Sequence, residues 1–140
     1  YKMKKKANWY DDLFIYLEEN KDKPFKWGSW DCCRFSNGAI KAMTGKTMIP
    51  SEVKWTSKVS ALKAIKKYGG TLVKSIDKAC KNKGLQEIKP AYITAGDLVV
   101  YDGSDINVGI CDGMNIVCVT DDGYTILPNE KAIKVWRIDG

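Results

Sequence analysis

Trp27-Gly28-Ser29-Trp30-Asp31-Cys32-Cys33 is the stretch from which the rest of the chain can be read. The short carboxylate of Asp31 can accept from the free N–H groups of a first helical turn, so a helix is predicted to open behind it. That helix should end at Gly45, the residue type that best tolerates the left-handed conformation past a helix terminus. Phe35, Ala39 and Met43 fall four apart on one face, while Ser36, Asn37, Gly38 and Ala42 keep the flanks slim. The helix should therefore pack closely against other backbone and lie centrally. Its first turn carries the Cys32 thiol, where unpaired N–H groups and the positive end of the helix dipole favour a thiolate and could also hold an oxyanion. A small buried cysteine that merely follows a cap is the plain packing alternative.

Upstream, Trp9, Leu13, Tyr16 and Leu17 share one face of a predicted helix from Asn8 to Asn20, with Asn8 as N-cap and Asp11 and Asp12 in the first turn. Lys21 to Pro24 end it, and an aromatic loop leads to Asp31. Downstream, Ser57 or Ser60 could cap a third helix that presents Val59, Leu62 and Ile65 and stops at Gly69-Gly70. A fourth runs from about Leu72 to Cys80.

Past Pro90 the runs 97–101, 106–111, 116–119, 124–127 and 133–138 are short and rich in β-branched residues. Asp102-Gly103, Asp112-Gly113 and Asp122-Gly123 stand between successive runs as tight-turn signals. The expected fold is α+β, with N-terminal helices packed on a C-terminal antiparallel meander or small curled barrel. Residues 1–7 read as a basic flexible arm and 8–140 as a single domain.

The chain has 140 residues, 44% hydrophobic and 29% charged, the balance of a folded globular protein. No apolar run approaches the ~20 residues of a membrane span, and no export signal is evident. Four of the lysines behind the net charge of +6 are clustered at positions 2, 4, 5 and 6, which leaves +2 without them. The others are dispersed and are not interleaved with stacking aromatics, so no nucleic-acid partner is expected. Five cysteines without a C-x-x-C pair argue against a disulfide framework and suit synthesis in a reducing compartment. With no histidine and no ligand pairs at metal spacing, neither a metal nor another cofactor is expected.

The stretch Pro24 to Cys32, then Ala39 to Gly45, Ala95-Gly96-Asp97-Leu98-Val99-Val100, Val108 to Gly113 and Val135-Trp136-Arg137-Ile138 resembles a family of small phage and prophage proteins. That family is a domain of unknown function, usually encoded among tail genes and related to NlpC/P60 thiol peptidases. The similarity runs from about Trp9 onward, and its most specific parts are the W-G-x-x-D-C motif and the G-D-L-V-V strand followed by the V-G-I strand.

NlpC/P60 enzymes resemble papain with a permuted chain order and cleave stem-peptide bonds of peptidoglycan. The resemblance places Cys32 at the nucleophile, Asp31 just before it, and Asn107 where the catalytic histidine would open its strand. Cys33 has no family role and is a neighbouring or substitute thiol. Trp27, Trp30, Trp55 and Tyr101 are candidates to line a substrate cleft, although bulky aromatics in a small domain more often serve as core or interface anchors. An amide cannot take up a proton at neutral pH, so Asn107 can orient a substrate or donate to an oxyanion but cannot act as general base. The usual Cys–His mechanism is thus excluded within this chain.

Two functions follow from the resemblance. One is a tail-borne cysteine peptidase or amidase acting on peptidoglycan during genome entry. The other is a catalytically silent component of the tail hub or tip, with other tail proteins as partners. Either implies a place in the virion after synthesis in the host cytoplasm.

Overall fold

The structure, a computed structural model, describes residues 2–140. Four helices come first: α1 (Trp9–Glu19), α2 (Cys32–Thr44), α3 (Lys58–Gly69) and α4 (Leu72–Asn82). Six strands follow: β1 (Gln86–Ile88), β2 (Leu98–Tyr101), β3 (Val108–Cys111), β4 (Asn115–Thr120), β5 (Gly123–Pro128) and β6 (Ala132–Arg137). The fold is α+β, as the sequence predicts.

Local signals set the helix ends. Asp31 caps α2 by accepting from the Arg34 N–H, and Gly45 closes it at φ 84° in the left-handed region. At α3 the two candidate serines share the work. Ser57 is the cap, accepting from the Ser60 N–H, and the Ser60 hydroxyl accepts from the Ser57 N–H in return. Thr71 caps α4. Asn8 makes no side-chain cap bond on α1, and Val59 is 63% exposed rather than part of the packed face of α3.

The strands form one antiparallel sheet in the order β1-β6-β2-β3-β4-β5. The meander expected from β2 to β5 is present, but the sheet is open, with β1 and β5 as its two edges. The last strand does not extend the meander. It returns to pair with β2 on one side and β1 on the other, placing Leu98 opposite Trp136 and Glu87 opposite the same residue. Of the three Asp-Gly pairs, Asp122-Gly123 closes the tightest hairpin, whereas the connection between β2 and β3 spans six residues, 102–107.

Because side chains alternate across a strand, the sheet has two apolar faces. Leu98, Val100, Val108, Ile110, Val117 and Trp136 meet Phe35, Ala39 and Met43 of α2. Val99, Tyr101, Cys111, Ile116, Cys118 and Val135 form a second core on the opposite face. Helix α2 lies across β3 and β4, with α1 against its outer side. Gly38 makes that approach possible: a β-carbon there would stand 2.3 Å from the Tyr16 hydroxyl, which donates to the Phe35 carbonyl at 2.8 Å.

The expectation of a flexible arm over 1–7 is corrected for residues 2–7. Met3 is fully buried in the main core. Its N–H donates to the Lys83 carbonyl, that of Lys5 to Asp139 and that of Lys6 to Met43, at 2.7–2.9 Å. The lysine run hides an extended segment whose one apolar side chain points inward. The Lys6 ammonium meets the Asp12 carboxylate at 2.7 Å, and Lys5 lies over the Trp9 ring.

Candidate functional site

Asp31 is 1% exposed and fully engaged. One carboxylate oxygen accepts from the Arg34 N–H at 2.9 Å; the other accepts from the Gly28 N–H at 2.9 Å and from Trp55 Nε1 at 2.6 Å. Arg34 completes the clamp. Its Nε donates to the Gly28 carbonyl and its Nη2 to the Val53 carbonyl, both at 3.0 Å, while the guanidinium lies over the Trp55 ring. Gly28 is required at the centre, since it sits at φ +86° and a β-carbon there would fall 1.9 Å from the Trp55 carbonyl oxygen. The W-G-x-x-D-C stretch therefore anchors the start of α2 to the segment before α3.

Cys32 is the first residue of α2, as expected, and faces the strand region that carries Asn107. The thiol is only 4% exposed and donates to the Ile106 carbonyl at 3.4 Å. A carbonyl oxygen can only accept, so the thiol is the donor of this contact. Asn107 is also buried, and its amide Nδ2 donates to the Tyr101 carbonyl while its own carbonyl accepts from the Tyr101 N–H. That amide ties the ends of the β2–β3 connection together.

Cys33 is partly exposed and borders open space beside α2. Its thiol is held well above the ordinary cysteine value, first by a hydrogen bond with Cys32, then by removal from water and by the nearby Cys32 and Asp31. A readily ionised thiol is thus not what the start of α2 provides at this position.

Two aromatic candidates belong to the core rather than to a cleft. Trp30 is 6% exposed and packs edge-on against Phe35, with Lys23 covering its ring. Tyr101 is 4% exposed on the far face of the sheet, and its hydroxyl donates to the Cys118 sulfur at 3.3 Å. Both are large apolar bodies packed within the two core clusters, and that outweighs their polar tips. Trp27 is partly exposed and meets Phe25 edge-on.

Sequence reasoning missed Arg34 and the Ile106 carbonyl, and it offered Trp55 as a cleft candidate rather than as a partner of Asp31. The Asp31-to-Arg34 spacing would have pointed to the first; a backbone carbonyl leaves no trace in side-chain pattern. Among the described residues no group of three or more His, Cys, Asp or Glu side chains converges as a metal site needs, and no helix is long and apolar enough to cross a membrane.

The fold and site define a small α+β domain whose central helix starts at a buried, carbonyl-bonded cysteine. The chain belongs to the family described as Domain of unknown function (DUF6950), whose model matches residues 4–138. No curated protein matches it.

Proposed function

We propose that the protein is an NlpC/P60-like domain that has given up thiol-peptidase chemistry and serves as a structural component of a phage tail hub or tip. The observation that carries the first half is the partner of the Cys32 sulfur. A cysteine nucleophile is activated by a base that takes its proton, and here the sulfur donates to a backbone carbonyl instead. The sequence holds no histidine, and the amide of Asn107 is already committed to Tyr101. The tail setting rests on the resemblance of the W-G-x-x-D-C stretch and the strands around Gly96 and Gly109.

Peptidoglycan hydrolysis is the competing reading, favoured by the position of Cys32 in the first turn of α2. Purified sacculi incubated with wild type and with Cys32→Ala separate the two. The proposal expects equally inert proteins, and Cys32-dependent release of stem peptides would refute it. A tail component should also be present at fixed stoichiometry in washed virions, and its absence there would remove the structural role.

A further inference from the structure

Side chains four residues apart line up along a helix. On the outer side of α1 they form two adjoining ridges, Tyr10-Phe14-Glu18 and Asp11-Ile15-Glu19, and all six are exposed. Tyr10, Phe14 and Ile15 account for three of the eight large apolar side chains left open among the described residues, and they share one helix face, so they form a patch rather than scattered points. The charges within that patch are all acidic, in a chain whose net charge is +6.

The complementary pattern stands on α3. Val59, Lys63 and Lys67 form an exposed ridge at the same spacing, with Lys66 beside it. Among the described residues Asp11, Glu19, Lys63, Lys66 and Lys67 join no ion pair. Helix α4 offers no equivalent: Lys78 donates to the Tyr68 carbonyl at 2.9 Å, Lys81 meets Asp77 at 2.8 Å, and no large apolar side chain is exposed there. The Tyr10 ridge and the Val59 ridge also change in the same direction along their helices, apolar first and charged last.

From these matched faces we infer that the protein associates with itself head to tail, the outer face of α1 in one copy seated on the α3 ridge of the next. Ridges of residues four apart interdigitate in the commonest class of helix packing. The Val59-Lys63-Lys67 ridge fits the groove between the two α1 ridges, with Val59 against Tyr10 and Phe14 and the lysines towards Glu18 and Glu19. Two α1 faces meeting about a two-fold axis are disfavoured, since that arrangement sets Asp11 of one copy against Glu19 of the other. Each copy in the head-to-tail contact keeps one face of each kind free, so the contact propagates into a ring or a filament. This surface neither uses Cys32 nor depends on the proposed role in a tail.

Sedimentation of the purified full chain tests the contact. Its average mass should rise with protein concentration at about 10 mM salt, where the Debye length is ~30 Å, and return to that of one chain at about 1 M, where it is ~3 Å. Phe14→Asp removes an exposed aromatic anchor from α1, and Lys63→Glu combined with Lys67→Glu reverses the α3 ridge; these side chains are exposed, so both variants should fold as wild type does by circular dichroism. Each variant alone should associate roughly tenfold more weakly or worse. Mixed in equal amounts, the two should form a species of two chains and none larger, because the intact α1 face of one meets the intact α3 ridge of the other. A wild type that stays monomeric at every concentration and salt would overturn the inference and leave the α1 face to a basic partner of another kind. Variants that associate as wild type does, or a mixture that holds only monomers, would overturn it as well.

Discussion

Arg137 grips Asp97 with two nitrogens, Nε at 3.0 Å from one carboxylate oxygen and Nη2 at 2.8 Å from the other. The pair ties the end of β6 to the turn that launches β2. Asp97 is fully buried and also accepts from the Thr94 N–H, while the same Arg137 Nη2 reaches the Tyr92 carbonyl.

Arg137→Met should therefore strand a buried carboxylate. Loss of one partner from a buried pair costs about 3 kcal/mol. Urea unfolding should show that drop as a lower midpoint with the slope unchanged, and a shift below about 0.5 kcal/mol would mean that the pair is ornamental.

Gly28→Ala should be among the most damaging single changes in the chain. The new methyl would run into the Trp55 carbonyl at 1.9 Å from a backbone already at φ +86°. We expect a loss above about 2 kcal/mol, with Trp55 fluorescence showing the segment before α3 released before global unfolding. A variant as stable as wild type would contradict the clamp.

Met3→Ala tests the docking of the N-terminal segment. Truncating a fully buried methionine should cost about 2–3 kcal/mol, whereas a frayed arm would tolerate it without change. Hydrogen exchange at the Met3 and Lys5 amides, which donate to Lys83 and Asp139, gives an independent reading.

Stability should fall on the alkaline side. Burial pushes the Cys118 thiol from the ordinary 9.0 up to about 11, despite the hydrogen bond from Tyr101. Between those values the folded state holds a proton that the unfolded state has released, so stability declines as pH rises through that window. The contribution is about 3 kcal/mol, complete below pH 9 and lost by about pH 11. Cys118→Ala should lessen the decline measured by denaturant titration from pH 8 to 11, with Cys33, Cys80 and Cys111, whose thiols are also raised, supplying the remainder; an identical slope would assign the linkage elsewhere.

What the sequence revealed followed the range of the interactions. Asp31, Gly45, Ser57 and Ser60 act within one helical turn of where they stand, so the ends of α2 and the start of α3 were legible. So was the Asp122-Gly123 hairpin. The place of β6 between β1 and β2 was not, because both pairings join segments far apart in the chain. Strand β1 escaped notice because it has only three residues and no buried alternation. Met3 was hidden among lysines, and the core position of Trp30 and Tyr101 could not be distinguished from a cleft by residue type alone. Cys32 was placed correctly at the helix start, yet its partner is a main-chain oxygen that no side-chain pattern encodes. The open space beside Cys33 was invisible for a related reason, since its walls come from three helices, a loop and two strands.

The insertion of β6 between β1 and β2 makes the continuity of the sheet depend on one strand. The hairpins from β2 to β5 pair neighbours in sequence, whereas β1 reaches the sheet only through β6. A change that expels β6 would therefore split the sheet rather than trim its edge.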